Sequence, residues 1–187
     1  MNPVEETLRK NITLAAYAAA SFAIGIPFGL AAYPLIQERM PELLKTVYGG
    51  IISGSEIETI GKVFMRNATA SLVMMLAGVT VIVPLALLAV NGFMVGIVLM
   101  YALGKGIPLT SIVLGILPHG IMELPAIFIA AAVGMRVGLE IILRKGRRIP
   151  AAAEAAKAAA ATYLALVVPL LVLAAVVEIL LSRKLIG

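Results

Sequence analysis

Long apolar runs separated by brief polar punctuation dominate this chain, and their lengths predict its elements. Residues 12–36 are apolar and long enough to cross a bilayer as a helix, with Pro27 and Pro34 set to kink it or to mark its far end. Residues 37–66 then carry four acidic and four basic side chains, together with Pro41, Gly49-Gly50 and Ser53-Gly54-Ser55. Such clusters make turns, so this stretch reads as an extramembrane loop, with residues 56–65 spaced for a short amphipathic helix at the interface.

The next apolar run, residues 68–90, is interrupted by Thr80 and Pro84 and then meets Asn91-Gly92. The piece that follows ends at Gly104-Lys105-Gly106; its roughly 13 residues reach only about 20 Å as a helix, short of the roughly 30 Å hydrocarbon core. A turn or a break near residue 91 is therefore expected. Residues 107–143 exceed one simple span. We divide them into a short re-entrant segment, 107–117, and a full helix from residue 118, because proline suits a first helical turn where its missing donor has no role. Residues 151–161 favour helix strongly and lead straight into a last span, 162–181.

The expected fold is an all-α polytopic membrane helix bundle with about five transmembrane helices, broken or re-entrant near residues 91 and 107–120. Residues 1–187 form one integral membrane domain, with 37–66 outside the bilayer and 144–157 a basic cytoplasmic loop. Composition agrees: 61% of the residues are hydrophobic, 13% are charged and the mean hydropathy is +1.06, which excludes a water-soluble globule. The net charge of +5 sits in short groups beside the apolar runs, so anionic lipid is expected as counterpart and nucleic acid is not. Zero cysteines exclude disulfides, thiolate ligands and a cysteine nucleophile.

Arg144-Lys145-Gly146-Arg147-Arg148 is the densest basic cluster, and the positive-inside rule places it in the cytoplasm with Arg9 and Lys10. Arg144, Lys145, Arg147 and Arg148 are expected to touch headgroups or a partner. Five crossings then put the 37–66 loop outside, in a multi-pass protein of the cell membrane; Arg183 and Lys184 at the outer end run against the rule.

The candidate chemistry lies in the apolar run that holds the single histidine. His119 and Glu123 stand at i and i+4, so on a helix they share a face. A carboxylate in hydrocarbon costs on the order of 2.5 kcal/mol by insertion scales, which marks the position as built for a purpose. Pro118 and Pro125 each remove a backbone donor, and with Gly120 they are the expected helix breaks. Three readings of the pair stay open. It fixes helix packing by bonding to Asn91 or Asn67; it binds a cation or relays a proton; or, with further ligands, it holds a metal that activates water. One histidine and no cysteine leave the third short of ligands, so no metal and no cofactor beyond a cation at this pair is implied. Gly25 and Gly29, Gly92 and Gly96, and Gly134 and Gly138 are small-xxx-small pairs that bring helix axes close, within one chain or across a homodimer seam.

Several of these positions together carry a family resemblance. Phe64-Met65-Arg66-Asn67, Gly78, Pro84, Asn91-Gly92 with Gly96, and Pro118-His119-Gly120 with Glu123-Leu124-Pro125-Ala126 and Gly134 resemble the stage II sporulation protein M (SpoIIM) family over about residues 10–182. Arg66 stands where another polar residue would be expected. The resemblance implies a membrane module that anchors or recruits envelope partners, as the family's namesake looks to do with partners that degrade peptidoglycan during engulfment. It implies a non-enzymatic scaffold; the alternatives are a permease-like transporter subunit with its cation or proton site at His119 and Glu123, and an intramembrane metal-dependent hydrolase.

Overall fold

The computed structural model describes residues 3–48, 56–144 and 146–186; for residues 3, 47, 48, 56, 57, 59, 114–119 and 178–186 it describes the backbone alone. The described residues are helical almost throughout. In chain order the helices are α1 (Pro3–Ile36), α2 (Met40–Tyr48), α3 (Glu56–Ala77), α4 (Ile82–Gly104), α5 (Leu109–Leu143), α6 (Arg148–Thr162) and α7 (Val168–Ile186). A π turn, Tyr163–Val167, joins α6 to α7 without a break. Five segments are long and apolar enough to cross a membrane: Val4–Thr46, Ile60–Thr80, Ile82–Gly104, Gly120–Leu143 and Arg148–Val177. Large apolar side chains face outward, among them Ile12, Leu35, Ile82 and Leu164. That is the surface a lipid solvent demands of a membrane protein.

The centre of the bundle is α5. Half of its span is buried, against 22–33% for the other four, and Ala130, Ala131, Ala132 and Val133 are closed off on every side. It packs on α1, α3, α6 and α7. Outside it, α1 and α4 form the closest helix pair. Ala18, Phe22, Gly25 and Gly29 of α1 meet Pro84, Leu88, Gly92 and Gly96 of α4, which recur at every fourth residue along one face. A methyl group on Gly25 would lie 2.0 Å from the Ala89 carbonyl oxygen, and one on Gly92 would lie 1.9 Å from that of Phe22. Only glycine permits this approach. Ser21 adds a hydrogen bond from its hydroxyl to the Leu85 carbonyl at 2.8 Å.

Three expected breaks are corrected. The chain does not turn at Asn91-Gly92: α4 runs unbroken through both, and the reversal between the second and third spans lies at Gly78–Val81. A break at residue 91 would expose backbone groups to hydrocarbon, whereas the earlier turn is locally satisfied. There the Thr80 hydroxyl donates to the Ala77 carbonyl and accepts from the Val83 N–H, and Pro84 brings no donor to a first turn that needs none. Val81 takes φ +63° to make the corner, and Gly78 lies flat against Gly134.

Nor is there a re-entrant piece at 107–117, nor a helix start at Pro118. Residues 109–118 form the first turns of α5, which continues through Gly120 and Pro125. Its 35 residues reach about 52 Å, so it projects beyond the hydrocarbon on one side and needs no second crossing. The interruption falls instead at residues 105–108. There Gly106 sits at φ +76°, its N–H bonds the Leu103 carbonyl and the Ile107 N–H bonds the Ala102 carbonyl. This is a glycine-closed helix C-terminus, followed by Pro108 as the boundary of α5. Residues 56–65, expected as a separate interfacial helix, are the first half of α3.

Candidate functional site

Asn67 and Ser71 are one helical turn apart on α3, and both face the bundle. The Asn67 amide donates to Glu123 Oε1 of α5 at 2.5 Å. Ser71, wholly buried, donates to the Ala68 carbonyl at 3.0 Å and lies 3.2 Å from the Tyr163 hydroxyl. Tyr163 donates to the same carbonyl at 2.8 Å. The π turn that begins at Tyr163 inserts an extra residue into the helix and so re-aims the side chains around it. Three elements thus meet in a polar knot, each buried group answered by another, as a low-dielectric interior requires. One hydroxyl beside it, that of Thr162, is buried without a hydrogen-bond partner.

The expected knot therefore forms in part. Asn67 and Glu123 are brought together; Asn91 is not with them and lies exposed on the outer surface of α4. For His119 and Pro118 only the helical backbone is described, so the expected pairing of His119 with Glu123 lies outside the described residues. Gly120 has room, its nearest neighbour to a new methyl being Leu124 Cδ1 at 3.8 Å, and Pro125 is exposed. Sequence reasoning missed Ser71 and Tyr163. A serine four residues after Asn67 was a usable signal, whereas the π turn that delivers Tyr163 is invisible to 3.6-residue periodicity.

All six seam glycines are occupied within the chain. Gly25 and Gly29 meet α4, Gly92 and Gly96 meet α1, Gly134 meets Met75, and Gly138 meets Val79 and Gly78.

A second polar cluster lies at the other end of α5. Glu140, 8% exposed, takes a 2.6 Å ion pair from Arg136 and a 3.0 Å one from Arg144. Glu123 and Glu140 are about 25 Å apart along the helix, and the packed stretch around Ala130–Val133 lies between them. Arg147 lies beside this second cluster, Arg148 opens α6, and Lys145 lies outside the described residues. Among the described residues, no three His, Cys, Asp or Glu side chains gather as a metal site would need.

This architecture defines an all-α polytopic membrane protein whose interior polar side chains largely bond one another. Residues 14–183 match the model of the family described as SpoIIM, Stage II sporulation protein M. The match covers most of the chain, and the chain belongs to that family. Comparison with curated proteins and with solved structures returned no match.

Proposed function

We propose that this protein is a non-enzymatic scaffold of the cell membrane that works by docking other membrane-embedded chains, the first of them a second copy of itself. One observation carries this reading. Asn91 is the tenth residue of the 23-residue α4, about 14 Å from its start and so close to the bilayer midplane. It is exposed, and no hydrogen bond answers its amide among the described residues. A carboxamide facing hydrocarbon seeks a partner on another helix. Because it carries both donor and acceptor, it is its own complement across a two-fold axis. Val83, Ala86 and Val90 are exposed at three- and four-residue spacing and supply the apolar face around it.

Recruitment of envelope partners follows from the same outward faces and from the family. A transport reading finds less support, because Glu123 already accepts from Asn67 and the packed alanines of α5 separate the two polar clusters.

The natural chain has no cysteine, so single cysteines report cleanly. Ala86→Cys and Val90→Cys are expected to form disulfide-linked dimers in oxidised membranes, and Ile97→Cys, 1% exposed, is expected to form none. Absence of cross-links along this face would remove the self-docking proposal. Cation flux in proteoliposomes that disappears with Glu123→Gln would replace the scaffold with a transporter.

A further inference from the structure

A cavity of about 530 Å³ opens where the start of α1, the end of α5 and the start of α6 converge. Its volume falls within the range of small-molecule pockets. Lys10 and Asn11 reach it from α1, Arg136, Glu140 and Arg144 from α5, and Arg147 and Glu154 from the turn into α6 and from α6 itself. Four cations therefore face two carboxylates. Glu140 is gripped by Arg136 and Arg144, yet each guanidinium has five donors and leaves most of them available. The Arg147 guanidinium has no ion pair or hydrogen bond among the described residues. Asn11 of the wall, 4% exposed, donates its amide to the Thr7 carbonyl at 2.7 Å, and its Oδ1 is buried out of reach of the cavity.

We propose that this cavity binds a phosphate group, that of an anionic glycerophospholipid headgroup or of a free phosphate. Guanidinium groups match phosphate oxygens in geometry as well as charge, and basic pockets between transmembrane helices on the cytoplasmic side hold headgroups. The lipid is the better fit. Arg136 lies on the span Gly120–Leu143, seven residues from its interfacial end, so its stem crosses apolar depth while its head reaches the interface. Glu154 suits the glycerol hydroxyls of a phosphoglycerol headgroup, which inorganic phosphate lacks. This inference stands on the cavity alone and does not need the docking face of α4.

The purified protein in a neutral detergent is titrated with phosphatidylglycerol, phosphatidylcholine, glycerol 3-phosphate and inorganic phosphate, with binding read by native mass spectrometry and thermal shift. Phosphatidylglycerol is expected to bind and to raise the melting temperature, and phosphatidylcholine to do neither. Arg147→Gln, which breaks no ion pair or side-chain hydrogen bond among the described residues, is expected to weaken binding about tenfold, while Arg148→Gln, one residue further and outside the cavity wall, leaves it within about twofold. Glycerol 3-phosphate or phosphate binding in place of the lipid, with the same dependence on Arg147, supports the phosphate site and assigns it to a soluble ligand. Equal losses in the two variants show diffuse surface attraction and overturn the proposal, as does no binding by any of the four compounds.

Discussion

The α1–α4 seam and the α3–α5 knot hold pairs of helices together by opposite means. At the seam the backbones themselves touch, four glycines alternate across the contact and dispersion does the work. At the knot the contact passes through side chains: Asn67 on Glu123, and Tyr163 and Ser71 sharing the Ala68 carbonyl. Each therefore tolerates a different kind of change. A seam of glycines has no room for a single added carbon, whereas a knot of hydrogen bonds accepts any replacement that keeps the donor and acceptor in place.

The seam is expected to show the largest effect. Gly92→Ala puts a methyl against the Phe22 carbonyl and costs about 1–3 kcal/mol, with Gly92→Leu costing more, by the usual penalty for overpacking. Gly61 is the control: a methyl there meets nothing within 4 Å, so Gly61→Ala on helix α3 gains about 0.5–1 kcal/mol. Unfolding midpoints in a denaturing-detergent titration read both. Equal responses at the two glycines would break the distinction.

At the knot, Asn67→Leu removes one donor from the half-buried Glu123 and is expected to cost about 1–1.5 kcal/mol, the net worth of that hydrogen bond. Glu123→Gln still offers Asn67 a carbonyl and is expected to cost under about 1 kcal/mol. The reverse order would show that the negative charge itself is what the site needs. Comparable in size, Tyr163→Phe loses the bond to Ala68 while Ser71 still serves that carbonyl, for about 1 kcal/mol. A loss well beyond that would mean that the π turn depends on the hydroxyl.

Much of this was legible from the pattern of apolar runs, and what was not has physical reasons. The first span and the helix that runs from the alanine-rich stretch into the last span follow from length and composition. The corner between α3 and α4 was misplaced because Gly78, Val79, Thr80 and Val81 carry no charge, so hydropathy passes over them. Asn91-Gly92 looked like the turn because a polar residue beside glycine usually is one; here the two residues face opposite ways, Gly92 into the seam and Asn91 out of the bundle. Pro118 and Pro125 suggested breaks that a long, well-packed helix absorbs. Half of the knot was readable as a carboxylate that needed an amide. The cavity was not, because it is assembled from Asn11, Glu140 and Arg147, which are far apart in sequence and joined only by the packing of three helices.

The proposed division of labour is that interior polar groups hold this bundle together while the exposed amide of Asn91 joins it to another chain. Its most direct test is energy transfer between donor- and acceptor-labelled copies in vesicles, followed as lipid dilutes the protein. With two reciprocal amide bonds at about 0.6 kcal/mol each, Asn91→Leu is expected to weaken association about eightfold with no change in the unfolding midpoint of the monomer. Energy transfer absent from the natural chain, or present and unaltered by Asn91→Leu, would contradict the claim.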